Sequence, residues 1–247
     1  MKYLKKINIL LKKELKDSFL SPLIYILTGL FCLMIGWLFF NYLLQAKTLT
    51  TATMTQAVIT PIFGNINFIF VFLCPLLTMR AFAEEKKQST LDLLLRSELT
   101  EFQIIFAKFI SNFVLVLFMI SFTLIFPIIL ALSGYSDWGV VGSSYAGVLL
   151  SIMAYIAVGL FCSSLTDNQI VASLLTFCLL LGSMLMVISV NATDNYLLAL
   201  LIQYLTVPFH YEGFVKGLVR SYSLVYFVSY LLFFFILTHK SLQSRKW

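Results

Sequence analysis

The chain has 247 residues, of which 60% are hydrophobic and 11% are charged, with a formal net charge of +6. Soluble domains carry about a quarter charged residues, so too little polar surface is present to coat a water-soluble body of this size, and the chain reads as an integral membrane protein. No apolar run has an acid or a histidine at its centre, which argues against a proton- or ion-coupled carrier, where an ionisable group usually sits at that depth.

Residues 3–19 predict an amphipathic helix. Ile7, Leu10, Leu11, Leu15 and Phe19 recur at spacings of three and four, while Lys5, Lys12, Lys13 and Lys16 occupy other positions. Such a helix can lie in the headgroup layer; a basic flank that simply fixes orientation is the alternative. Six apolar segments then follow, each close to the roughly 20 residues that a bilayer core requires: residues 23–44, 62–79, 104–132, 140–165, 170–190 and 222–238. Ser21-Pro22 and Thr60-Pro61 each place a capping hydroxyl before a proline at the first helical position. Thr100-x-x-Gln103 and Thr166-x-x-Gln169 have capping-box spacing. Cys32, Cys74, Cys162 and Cys178 fall inside apolar runs without C-x-x-C spacing, as small hydrophobes rather than a disulfide or metal framework.

Six spans return the chain to the side on which it began. Lys and Arg number fourteen on the side of the termini and three opposite, namely Lys47, Lys216 and Arg220. The positive-inside rule therefore places both termini in the cytoplasm. The excess charge is explained by topology and requires no nucleic acid.

The loop after the second span, residues 80–102, is the most charged stretch. Ser89 and Asp92 have the relative spacing of a capping box, and Leu91, Leu94 and Leu95 form one face of a short helix. That suits docking into a groove on a soluble partner; a helix lying on lipid is the alternative, and periodicity does not separate the two. In the outer loop, residues 191–221, the apolar run 196–207 is too short to span, and Pro208 interrupts it. A re-entrant or interfacial helix is expected there, with a surface-lying loop as the alternative. Gly213-x-x-x-Gly217 is a weak signal for close helix approach, with Lys216 inside it.

Three stretches, in this order, resemble the type-2 ABC exporter permeases. Glu84-Glu85-Lys86-Lys87-Gln88-Ser89-Thr90-Leu91-Asp92-Leu93-Leu94-Leu95 is similar to that family's E-x-[KR]-x-x-G-T-[LI]-[ED]-x-L-L loop. Lys13-Glu14-Leu15 followed by Phe19-Leu20-Ser21-Pro22-Leu23-Ile24-Tyr25 is similar to the start of the first span in its gliding-motility (Gld) and copper-maturation branch. So is Phe209-His210-Tyr211-Glu212-Gly213-Phe214-Val215-Lys216-Gly217 with the basic C-terminal tail. The resemblance covers essentially the whole chain. Departures are Ser89 for the usual glycine, Leu23 where alanine is common, and Leu218-Val219-Arg220 without the acid often found there.

The resemblance implies an all-α polytopic membrane protein: six transmembrane helices with an N-terminal interfacial helix (residues 1–21), a cytoplasmic coupling helix and short re-entrant outer helices. Residues 1–247 would form a single transmembrane permease domain. It implies a permease subunit of an ATP-binding cassette exporter in the bacterial inner membrane. A separate cytoplasmic ATPase would hold ATP and magnesium, with none bound by this chain. A second permease copy or a paralogue would complete the pathway, and a periplasmic or membrane accessory protein could join. Glu84, Glu85, Thr90, Asp92 and Arg96 would make or orient the ATPase contact. The alternative is a non-translocating mechanotransmission or scaffold subunit that couples ATP hydrolysis to a periplasmic partner.

Catalytic signatures do not occur. The chain has no G-x-x-x-x-G-K-[ST] loop, no G-x-S-x-G element and no paired acids inside the spans, so neither ATP hydrolysis nor other covalent chemistry is expected of it. His210 and His239 are expected to be solvated or interfacial rather than metal ligands. Asn65, Asn67, Asn112, Thr123, Ser173, Thr176 and Ser183 are candidates to line a substrate route; the alternative is routine hydrogen bonding between helices. Pro75 and Pro127 are candidate kinks in spans two and three.

Overall fold

The computed structural model describes residues 2–46, 54–95, 99–135, 137–191 and 196–244. Helices alone make up the regular structure of these residues. In chain order they are α1 (Lys2–Leu20), α2 (Pro22–Ala46), α3 (Thr60–Thr78), α4 (Arg80–Lys87), α5 (Leu91–Leu95), α6 (Glu101–Ser121), α7 (Ile125–Leu132), α8 (Trp138–Leu165), α9 (Gln169–Asn191), α10 (Tyr196–Leu205), α11 (Val207–Val215) and α12 (Ser221–Gln243). Among the described residues, six segments are long and apolar enough to cross a membrane: Pro22–Ala46, Thr55–Lys87, Glu101–Leu132, Trp138–Leu165, Gln169–Val187 and Ser221–Gln243. The fold is all-α and polytopic, with the expected number of spans.

The start signals are realised unevenly. Thr100 and Gln103 form the capping box reciprocally: Gln103 N–H donates to Thr100 Oγ1 and Thr100 N–H to Gln103 Oε1. Thr166 does not cap α9. Asn168 takes that place, its Oδ1 accepting from Ile170 N–H at 2.9 Å, while Thr166 Oγ1 accepts from Asn168 N–H at 3.2 Å. Thr60 does not begin the second span either, because a π-helical turn, Thr55–Ile59, extends it toward the outer end. Pro61, lacking an N–H, sits just inside the π-to-α junction, where the hydrogen-bond register changes and a missing donor costs little. At Pro127 the helix is irregular. The α-helix tightens to a 3₁₀ turn at Phe122–Leu124, just ahead of the proline, whose ring crowds the carbonyl four residues back.

The central element is α8. It packs against α3, α4, α6, α9, α11 and α12, and small residues permit the approach. A Cβ on Gly159 would lie 2.1 Å from Thr78 Oγ1, and one on Gly147 would lie 2.5 Å from Phe214 Cβ. In lipid, where apolar burial alone gives little drive for helix association, such close contact supplies much of the cohesion. By contrast α2, α9 and α12 keep broad apolar faces exposed, Leu33, Ile170 and Val225 among them.

Both short outer helices form. Pro208 does not merely interrupt the apolar run; it lies in the first turn of α11, where a missing N–H is harmless. Tyr211 donates to the Phe63 carbonyl at 2.7 Å and so ties α11 to α3. The Gly213-x-x-x-Gly217 spacing ends α11, and Gly217 also lies close to α8, where an added Cβ would be 3.2 Å from Val140 Cγ2. Leu218 N–H returns to Gly213 O and Gly217 N–H to Phe214 O, with Gly217 at φ +81°, the bonding pattern of a Schellman C-cap. His210, expected to be solvated or interfacial, is buried within the protein. It stacks on Tyr226 at 3.9 Å and lies within bonding distance of Ser223 Oγ and the Tyr204 carbonyl.

Candidate functional site

At the end of the bundle where the termini lie, the second span continues past Met79 as α4, turns sharply, and re-enters a helix as α5. The turn has a definite construction. Thr90 N–H bonds to Glu85 O at 2.9 Å and Ser89 N–H to Lys86 O at 3.0 Å, with Ser89 at φ +56°. This is again a Schellman cap, and Ser89 occupies the left-handed position that glycine fills most easily. The residue that departs from the family pattern therefore keeps a glycine-like backbone. Ser89 belongs to the end of α4 and does not cap α5, so the expected box with Asp92 does not form. Thr90 makes the join, its hydroxyl donating to Glu85 O at 3.2 Å while its carbonyl accepts from Leu94 N–H.

The short helix α5 turns its predicted apolar face inward. Leu91 is buried, and Leu94 and Leu95 are partly buried against the core. What remains outside is the opposite edge: Thr90, Asp92 and Leu93, the last 70% exposed. Glu84 is half-buried and within 3.4 Å of Gln88 Nε2. Arg96 lies outside the described residues.

Behind this edge α4 is fastened to the rest of the bundle. Ser163 Oγ, on α8, accepts from Phe82 and Ala83 N–H at 3.0 and 3.1 Å and donates to the Met79 carbonyl, bridging the point where α3 gives way to α4. The Lys86 ammonium bonds to the Ser164 carbonyl, and Ser164 Oγ lies 2.9 Å from Ser241 Oγ on α12. Nearby, His239 Nε2 is 3.2 Å from Glu101 Oε2, and its ring lies against Phe102 with centroids 4.4 Å apart and planes tilted by 30°.

The centre of this end is Lys108, on α6. Its side chain is 1% exposed, and its ammonium lies 2.9 Å from Glu14 Oε1 on α1 and 2.8 Å from Glu85 Oε1 on α4. The Phe82 ring centroid is 5.3 Å away. An unpaired ammonium in such a place would cost several kcal/mol; two carboxylates and an aromatic face compensate it. Three segments distant in the chain are thus held at one charge, and Glu85 faces into the protein instead of outward. Sequence reasoning passed over Lys108 because it served only to orient the spans. The available signal was its position inside the apolar run 104–132, where a charge requires a partner.

Among the described residues, the candidate pathway residues hydrogen-bond to other groups and not to one another. Asn67 Oδ1 accepts from Ser151 at 2.9 Å, joining α3 to α8, and Asn65 donates to Tyr42 and to the Pro61 carbonyl. Asn112 donates to the Lys108 carbonyl. Thr123 bonds to Ile120 O and lies 3.0 Å from the Tyr145 hydroxyl. On α9, Ser173, Thr176 and Ser183 each bond back to a carbonyl of their own helix.

Compared with known families, residues 40–237 match the model described as "ABC-2 family transporter protein". No curated protein matches the chain.

Proposed function

The chain belongs to the ABC-2 family of transporter proteins, as the multi-pass, membrane-embedded permease subunit of an ATP-binding cassette transporter, and we propose that its ATPase docks on the outer edge of α5. The family implies an ATP-binding cassette partner. The observation that carries the docking site is the division of α5: Leu91, Leu94 and Leu95 are spent on its own chain, leaving Thr90, Asp92 and Leu93 outward. An exposed leucine flanked by a carboxylate and a hydroxyl suits a cleft on a soluble partner, with the charge setting register. Glu85, with Lys108, orients the loop rather than touching the partner, and Glu84 lies between the two roles.

In this reading ATP-driven closure of the ATPases displaces α5. The Schellman joint passes the displacement to α4, which delivers it to α8 through Ser163 and Lys86 and to α6 and α1 through Lys108. Coupling of this kind needs a contiguous, stiff connection. The distribution of Lys and Arg supports a cytoplasmic position for this end, in the inner membrane of a bacterium. The scatter of polar span residues among satisfied partners in one chain supports a pathway completed by a second permease, either identical or a paralogue. Export of a substrate is the direction proposed, and the early part of the chain and its tail favour the gliding-motility and copper-maturation branch.

The test is co-purification of the ATPase with Leu93→Asp and Asp92→Lys permeases. Each should lower association about tenfold, the loss of roughly 1.4 kcal/mol, while permease thermal stability stays unchanged because both side chains are exposed. Undiminished association in both variants contradicts the docking site.

A further inference from the structure

A cavity of about 370 Å³ opens at the same end, between the last turns of α1, the start of α2, the α3–α4 junction and α6. Its lining is mixed. Lys13, Glu14 and Asp17 on α1, Arg80, Glu84 and Glu85 on α4 and Lys108 on α6 are charged, whereas Leu23 and Ile24 on α2, Leu77 on α3 and Leu115 on α6 are apolar. Charged and apolar groups thus line one cavity, as an amphiphile requires.

The charged part has a specific imbalance. Lys108 meets two carboxylates, so the triad carries a formal charge of −1, and Glu85 Oε2 is buried without a hydrogen-bond partner among the described residues. A buried carboxylate oxygen in that state favours a second cationic donor. Toward the opening, the exposed Arg80 guanidinium donates to Ser21 at 3.3 Å, which engages one of its five N–H groups. Arg80 and Lys13 both line the cavity, beside Asp17 and Glu84, and supply the positive charge that a phosphate needs. An ammonium at Glu85, a phosphate at Arg80 and Lys13, and acyl chains against Leu23, Ile24, Leu77 and Leu115 describe one molecule.

We propose that this cavity is a binding site for an aminophospholipid, a lipid whose headgroup joins a primary ammonium to a phosphate. The site goes beyond the transport reading and does not depend on ATPase docking, since it is built by the permease alone. Its location beside Lys108 means that an occupied site would brace α1, α4 and α6 together.

The experiment uses the purified full-length chain in detergent, titrated by native mass spectrometry with dioctanoyl phosphatidylethanolamine, phosphatidylcholine and phosphatidylglycerol. The ethanolamine lipid should bind about tenfold more tightly than either competitor, because choline has no N–H to donate and phosphatidylglycerol brings no cation. Arg80→Ala, at an exposed position, should lower that affinity about tenfold, and Glu85→Gln should reduce the preference for ethanolamine over choline to near unity. If Glu85→Gln does not fold, the wild-type ranking and Arg80→Ala decide. Equal affinities for the three lipids, or an Arg80→Ala protein that binds phosphatidylethanolamine undiminished, overturn the proposal. So does soluble glycerophosphoethanolamine binding as tightly as the lipid, since the apolar wall would then contribute nothing.

Discussion

Lys108, Ser89 and His210 each hold a conformation or charge that their surroundings must sustain. Replacing Lys108 by Met leaves Glu14 and Glu85 facing one another, only 19% and 15% exposed, without a cation. Breaking a buried ion pair in this way costs about 3–5 kcal/mol, so Lys108→Met should be among the most destabilising single changes at this end, read as a lowered unfolding midpoint in detergent. Ser89 carries a left-handed backbone that costs an ordinary residue roughly 1–2 kcal/mol, partly offset by the greater freedom glycine loses on folding. Ser89→Gly should therefore stabilise the chain by about 0.5–1 kcal/mol in the same measurement, and Ser89→Val should do the reverse. Burial depresses the His210 pKa below its ordinary value, the Tyr204 carbonyl opposing this in part. A group whose folded pKa is lowered stabilises the fold above its unfolded pKa and loses that contribution as pH falls. Proteolytic protection of α10 and α11 should thus weaken on acidification through the histidine range, and His210→Phe should remove the dependence.

Among elements, the α3–α8 contact is the closest approach in the bundle that the glycines reveal. A methyl at Gly159 would occupy the position of the Thr78 hydroxyl, so Gly159→Ala should cost about 1–3 kcal/mol by overpacking. Thr78→Ala in the same chain should recover part of that loss, a non-additivity expected of side chains in contact and readable in a double-mutant cycle. Element boundaries also show which signals a sequence carries. The six spans were legible because burial in lipid demands length and hydrophobicity. The apolar face of α5 was legible because three leucines share one side, but its destination was not: the face expected to meet a partner's groove or lipid packs on the chain's own core. Caps were less so: Thr166 and Thr60 fit the pattern as well as Thr100 does, but a neighbouring Asn168 and a π-helical turn made other bonds. Gly213 and Gly217 were ambiguous because one spacing serves both helix approach and a C-cap, and only the backbone reveals the cap.

For the molecule as a whole, what the sequence could not express is convergence. Lys13, Glu14, Arg80, Glu85 and Lys108 are separated by up to about a hundred residues, and nothing local marks them as neighbours. Assigning their charges to one side of the membrane uses only a one-dimensional property; the buried triad is a three-dimensional one. The same distinction applies to Glu85, read from its motif as part of the docking contact and found paired with Lys108. Asp92 and Leu93 are left as the outward groups, and the account stands on them. Site-specific photo-crosslinking in membranes that carry both subunits tests it most directly. A photoreactive residue at Leu93 is predicted to capture the ATPase, whereas one at Leu132, 86% exposed at the end of the bundle away from the termini, is predicted not to. An adduct from position 132 together with none from position 93 would contradict the account.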